Sequence, residues 1–291
     1  MTTAQPDIPV LSSIAGLAGR YDAWLCDIWG VLHNGESPFP GAVDACQRFR
    51  EGGGIVVLIS NSPRPRGSVA CQLVQIGVPG DSYDAIVTSG DTTRDLVSER
   101  QGEPVFHLGP ERDRPLFEGL NVELDDLERA EYVLCSGLYD DLTETPGDYA
   151  ELLARIRSRD LLMLCANPDL QVERGNRLIY CAGALAVAYE KLGGEVIYTG
   201  KPYKPIYQLA LARIAEVKGA EVGRAEILCI GDGAKTDMAG AAAAGMDALY
   251  VASALHIDGA NGDAPLDPGT VSALFRESDI KPVAAQKSLI W

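Results

Sequence analysis

An aspartate closes the apolar run AWLCDI (Asp27), Ser60 and Asn61 stand at the end of IVVLIS, and Ser89 ends DAIVTS. Lys201 follows VIYTG, and Asp232 follows ILCIG, with Asp237 five residues on. Singly, each has an ordinary explanation. An aspartate after a strand makes an Asx turn or caps a helix, a Ser-Asn pair is turn chemistry, and a lone lysine is solvated. Gathered at the carboxyl edge of one sheet, they share a chemistry. Neighbouring carboxylates bind a hard cation, and Mg²⁺ keeps one or two of them together with waters and substrate oxygens. A carboxylate held there can attack phosphorus as a covalent nucleophile. The transferring group needs positive charge and donors, which the cation, a lysine, a hydroxyl and loop N–H groups supply.

These residues require a sheet whose strands all end on one side. The apolar runs 23–28, 55–60, 84–89, 196–199, 227–232 and 248–252 alternate with helical patterns at about 41–51, 66–76, 91–100, 184–192, from 204, and 236–244. Continuous apolar, β-branched strands separated by helices indicate a parallel sheet buried on both faces, a doubly wound, Rossmann-like α/β core. Ligands of such sheets sit beyond the carboxyl ends of the strands. The middle of the chain has its own strand candidates (VFHL, YVLCS, LLMLCA), a helix at about 148–158, many arginines and no lysine. It reads as an inserted α/β domain over 97–182, a lid flanked by core halves 1–96 and 183–291.

The 291 residues carry a net charge of −16, which argues against nucleic acid and anionic membrane surfaces as partners. No run reaches the 18 or so apolar residues of a membrane span, and MTTAQPDIPV lacks the basic-then-apolar pattern of a signal peptide. A cytoplasmic protein is the expectation. The seven cysteines form no C-x-x-C pair and lie mostly in apolar runs, as buried reduced thiols do. His33, His107 and His256 show no metal-ligand spacing. A Walker A reading of GGEVIYTGKP fails, because Pro202 stands where Ser or Thr is required.

The segments CDIWGVLHNG, VLISNSP, TGKPYKPIY and CIGDGAKTDMAGAAAAGM resemble, in order, the four motifs of the haloacid dehalogenase superfamily. CANPDL at 165–170 is similar to the cap-loop motif N-P-D of its class IIA, the C2-capped phosphatases. The likeness covers about residues 21–252 and implies a C2-type cap. It makes Asp27 the nucleophile, Ser60 the phosphate-binding hydroxyl and Lys201 the charge-neutralising lysine. It assigns Mg²⁺ to Asp27, the Trp29 carbonyl and Asp232, with Asp237 an outer-shell acid orienting Lys201 or water on the metal. Asn61, Asn167, Asp169, Arg174 and Arg177 become substrate-binding candidates, the arginines for a second anionic group.

One position departs from the pattern. The family's phosphatases carry a second aspartate two residues after the nucleophile, the general acid and base of the two half-reactions; here it is Trp29. Indole has one N–H donor, no acceptor and no proton to exchange at neutral pH. His33 is either a substitute acid and base or a solvated loop histidine. Neither a dehalogenase, which needs no metal, nor a phosphonatase, which needs a cap lysine, matches the remaining residues. The expected activity is Mg²⁺-dependent hydrolysis of small phosphorylated metabolites, of the sugar phosphate or nucleotide class, with impaired or rerouted acid–base chemistry. The alternatives are a phosphoryl transferase using the same intermediate and a non-catalytic Mg²⁺/phosphate-metabolite binding protein. Homodimerisation through the cap is implied by the resemblance alone.

Overall fold

The computed structural model describes residues 8–174, 177–252, 264–276 and 280–291. The chain divides into two compact units, one of Met1–Ile59, Leu73–Ile86 and Ala210–Trp291, the other of Ser60–Gln72 and Val87–Leu209. Among the described residues the strands, in chain order, are β1 (Ala23–Asp27), β2 (Ile55–Ser60), β3 (Ala85–Thr88), β4 (Val105–Leu108), β5 (Tyr132–Cys135), β6 (Leu162–Cys165), β7 (Gln171–Arg174), β8 (Arg177–Tyr180), β9 (Val196–Tyr198), β10 (Ile227–Gly231), β11 (Asp247–Val251) and β12 (Ala284–Gln286). The helices are α1 (Ala15–Ala18), α2 (Pro40–Glu51), α3 (Arg66–Ile76), α4 (Ser89–Ser98), α5 (Ala150–Ser158), α6 (Ala182–Lys191), α7 (Lys204–Lys218), α8 (Ala239–Ala244) and α9 (Pro268–Leu274).

The first unit carries a six-stranded sheet in the order β12-β11-β10-β1-β2-β3. Its central strands pair in parallel, with Asp27 opposite Ile59 and Cys26 opposite Ile230. Every residue of β1, β2 and β10 is buried, as a two-sided parallel sheet demands. From β1 the order runs outward to β2 and β3 on one side, and from β10 to β11 and β12 on the other. The switch of direction therefore falls between β1 and β10, where doubly wound sheets open a crevice. Behind the sheet, Trp24 stacks on Phe49 of α2 with centroids 4.0 Å apart, and the C-terminal Trp291 lies 6.5 Å from Trp24.

The second unit has its own parallel sheet, β4-β5-β6-β9, and an antiparallel hairpin of β7 and β8. Alternation splits its core. Val133, Cys135, Met163 and Cys165 pack with Leu153 and Ile156 of α5 and Leu185 and Tyr189 of α6. Tyr132, Leu134 and Leu164 meet Val97, Leu116 and Phe117. This is period-2 strand geometry with both faces covered.

The run at 196–199, expected in the core sheet, lies elsewhere. Residues 196–198 pair in parallel with β6 and do not join the six-stranded sheet. With α6 packed in the same core, the second sheet draws on residues beyond 182. An apolar run declares a strand but not its partner, and β9 is a three-residue, half-buried edge strand. Lys201 accordingly follows a strand of the second sheet.

Candidate active site

In the first unit, β1 and β10 deliver Asp27 and Asp232 to the same edge of the sheet, and a wide turn returns Asp237 to them. Ligand oxygens of the three carboxylates all lie within 4.8 Å of one another. Asp27 is 6 % exposed and Asp237 4 %. The Ile28 N–H donates to Asp27 Oδ1 at 2.8 Å, which fixes the carboxylate's rotamer. Asp237 owes its place to a π-helical turn over Ala234–Met238, closed by the Met238 N–H donating to the Gly233 carbonyl at 3.0 Å. Such turns insert one residue into a helical start and recur at functional sites. Asp237 Oδ2 accepts from the Gly233 N–H at 3.1 Å and the Thr236 hydroxyl at 3.2 Å.

Glycines make the room. Gly30 has φ +85°, and a Cβ there would strike the Asp232 carboxylate; one on Gly231 would strike Asp237. Three acidic side chains with oxygens this close repel one another unless a cation or proton intervenes. An all-oxygen, carboxylate-rich set fits a hard divalent ion. The residues present therefore suit Mg²⁺, and Asp237 stands inside the carboxylate cluster.

Trp29 is half-buried and lies against its own loop. Its ring meets His33 edge-on at 5.2 Å, and a Cβ on Gly35 would lie 2.6 Å from the indole. His33 is 2 % exposed, so it is not a solvated loop histidine. Its Nδ1 accepts the Gly35 N–H at 2.9 Å, and desolvation lowers its pKa to about 4. A neutral imidazole with one nitrogen committed to the backbone is suited to holding the loop.

In the second unit, Ser60 ends β2, and its Oγ accepts the Ser62 N–H at 3.1 Å. Asn61 donates to Asp169 Oδ1 at 2.9 Å and to the Lys201 carbonyl at 3.2 Å, and accepts the Lys201 N–H at 2.6 Å. Asn167 Oδ1 accepts the Asp169 N–H at 3.0 Å, an Asx turn that shapes the N-P-D loop. Lys201 is 3 % exposed and Asn167 8 %. Ser60, Asn61, Asp169 and Lys201 thus belong to one compact unit, and Asn61 links Asp169 to Lys201.

The arginines are placed otherwise. Arg174 and Arg177 face each other in register at the end of the hairpin away from its base, where the Cys181 N–H bonds the Leu170 carbonyl. At about 3.3 Å per residue, Arg174 lies roughly 10 Å along the strand from Gln171. Arg177 is exposed, and the Arg174 side chain lies outside the described residues, as does His256.

Sequence reasoning missed Thr199. It is fully buried, and its hydroxyl lies 2.7 Å from Ser89 Oγ and 2.9 Å from Thr93 Oγ1. Its position two residues before Lys201 was the available signal.

Comparison with known proteins finds similar chains. The model of the haloacid dehalogenase-like hydrolase family matches residues 24–123, and a HAD-hydrolase-like model matches 198–274. The crystal structure of a haloacid dehalogenase-like hydrolase from Brucella suis is 50 % identical, with TM-score 0.81, over 84 % of this chain and 93 % of that one. A 5'-nucleotidase of Bacillus subtilis is 25 % identical over 79 % of this chain and 87 % of its own. A glycerol phosphate phosphatase of Mycobacterium tuberculosis, crystallised with calcium, is 26 % identical, with TM-score 0.62, over 81 % of this chain and 67 % of that one.

Proposed function

This chain belongs to the haloacid dehalogenase-like hydrolases, and from that premise we propose a Mg²⁺-dependent phosphohydrolase working through an aspartyl-phosphate on Asp27. It is a phosphoric monoester hydrolase of the C2-capped class, acting on small phosphorylated metabolites. The observation that carries the proposal is the cluster of Asp27, Asp232 and Asp237 at the switch point of the sheet. Asp27, Asp232 and the Trp29 carbonyl would hold the cation, with Asp237 beside them. When bound, Mg²⁺ offsets the carboxylates' charge and draws electron density from phosphoryl oxygens.

In the first half-reaction an Asp27 oxygen forms a bond to phosphorus as the ester P–O bond breaks, and the leaving oxygen departs with the electron pair. Ser60, whose oxygen already accepts a backbone N–H, donates its hydrogen to a phosphoryl oxygen. Lys201 neutralises the charge that develops there. In the second, a water oxygen attacks phosphorus, the Asp27–phosphorus bond breaks, and orthophosphate leaves. Trp29 can neither protonate the leaving oxygen nor deprotonate the water. Absent acid–base help costs about 10²–10⁴-fold. Good leaving groups escape most of that cost in the first step. Water attack does not, so the phosphoenzyme accumulates.

The relatives named as a nucleotidase and a glycerol phosphate phosphatase support small phosphomonoesters as the substrate class, and the N-P-D loop with Asn167 and Asp169 is the substrate-reading element in this account. The test is phosphate release from p-nitrophenyl phosphate and a panel of sugar phosphates and nucleotides, with Mg²⁺ or EDTA. Turnover that needs Mg²⁺ and disappears in Asp27→Asn is expected. Turnover that persists in either condition contradicts the proposal.

A further inference from the structure

We propose that Asn61 is a positioning residue that locks the Lys201 segment to the N-P-D loop, so that the lysine and the substrate-reading loop move as one piece. The role given to Lys201 rests on the phosphohydrolase reading; the lock itself rests on bonds within the second unit.

Lys201 is buried and lies three residues past the end of β9, beyond the pairs that strand makes with β6. Buried backbone polar groups require partners. Asn61 supplies them to the lysine's N–H and C=O. Its side-chain amide is chemically a peptide group, with Oδ1 accepting the Lys201 N–H at 2.6 Å and Nδ2 donating to the Lys201 carbonyl at 3.2 Å. The second Nδ2 hydrogen goes to Asp169 Oδ1 at 2.9 Å, a bond to a carboxylate. Both donors of the amide are spent inside the protein, so Asn61 has no N–H for a substrate.

The surroundings leave the amide little freedom. Asn61 is 4 % exposed. A Cβ on Gly200 would collide with Asn61 Oδ1, and would lie 2.7 Å from Pro168 Cδ and 2.9 Å from Ser89 Oγ. On the other side of the segment, Thr199 is tied through its hydroxyl to the Cys165 carbonyl at 3.0 Å, in addition to Ser89 and Thr93. Gly183 of α6 has no room for a Cβ against the Pro168 carbonyl, which confines the loop from behind. Asn61 bonds both Lys201 and Asp169.

Asn61→Asp is nearly isosteric but turns both donated bonds into oxygen–oxygen repulsions; Asn61→Ala removes them. Adding Asp169→Asn to Asn61→Asp puts a donor back on the opposite side and restores that one link. Backbone hydrogen exchange, read by mass spectrometry on full-length wild type, both single variants and the double variant, tests this without turnover. Exchange over 166–170 and 199–203 is expected to rise about tenfold or more in both single variants, with 23–27 and 55–59 unchanged, and to fall back in part in the double variant. In turnover of p-nitrophenyl phosphate with Mg²⁺, kcat falls by a similar factor while KM changes less. Wild-type exchange in both segments overturns the inference. So does a rise spread equally over 23–27 and 55–59, since the residue would then serve the fold at large. A wild type that releases no phosphate but shows the segment-specific exchange would remove the phosphohydrolase reading and keep the lock.

Discussion

Trp29→Asp restores the acid–base residue that the first motif lacks, and its effects on rate and stability have opposite signs. The indole lies half-buried against His33 and Gly35. A tryptophan buries about 150–250 Å² when fully enclosed; half of that, at about 25 cal/mol per Å², is roughly 2–3 kcal/mol of packing lost. For a protein of this size that lowers Tm by roughly 3–5 °C. The new carboxylate adds negative charge two residues from Asp27, one of three whose oxygens lie within 4.8 Å of one another, so the loss is expected to be larger without Mg²⁺ than with it. Against this, general acid–base help contributes about 10²–10⁴-fold. The loop was shaped around an indole, so the lower end, about 10², is expected, or roughly 2.7 kcal/mol of barrier. Rapid-quench kinetics with p-nitrophenyl phosphate, beside an alkyl phosphate with a poor leaving group, separates the two half-reactions. Wild type should give a burst of nitrophenol followed by slow turnover. The variant should lose the burst and gain most on the alkyl ester. A folded, Mg²⁺-binding Trp29→Asp with wild-type burst and unchanged turnover on both substrates would refute the reasoning.

Three further outcomes follow. Isothermal titration should show Mg²⁺ binding to wild type that is weakened at least tenfold by Asp232→Asn, and also by Gly30→Ala, whose Cβ would strike the Asp232 carboxylate at φ +85°. Mg²⁺ at 100 times its Kd should raise unfolding stability by about 2.7 kcal/mol, an increment that Asp237→Asn reduces. The third concerns acid. Burial, chiefly, lowers the His107 pKa to about 4 from 6.5, so the unfolded chain binds the proton first. Its contribution is therefore present above pH 6.5 and lost as pH falls toward 4, by about 3 kcal/mol. Burial raises the pKa of nearby Asp113, which acts in the opposite sense at the low end of that window. His33, whose pKa burial also lowers to about 4, adds to the slope in the same sense, so chemical denaturation between pH 7 and 4.5 should show it and His107→Gln should reduce it by about half.

The parallel core was legible because β1, β2 and β10 are buried on both faces and read as unbroken apolar runs. The same property hid the partner of β9, since a run of three apolar residues carries no mark of the sheet it joins. Asp27 and Asp232 could be found because each stands at or just after a strand end. The π-helical turn that brings in Asp237 has no sequence signature beyond the spacing itself. His33 was misjudged because its burial comes from a ring and a backbone N–H supplied by its own loop, contacts that polarity does not announce. Asn61 read as a turn residue or a substrate-binding candidate because its partners are 108 and 140 residues away. Hydrophobic periodicity reports what faces a core; it is silent about long-range pairing between polar groups.

In the proposed mechanism Asp27 carries the phosphoryl group and Trp29 leaves it stranded there. Acid-quenched enzyme, mixed with Mg²⁺ and p-nitrophenyl phosphate and digested for mass spectrometry, tests this directly. One phosphoryl group is expected on the peptide containing Asp27 at high occupancy in wild type, absent from Asp27→Asn and strongly reduced in Trp29→Asp. Turnover with no label on that peptide at any time, or label on another residue, would contradict it.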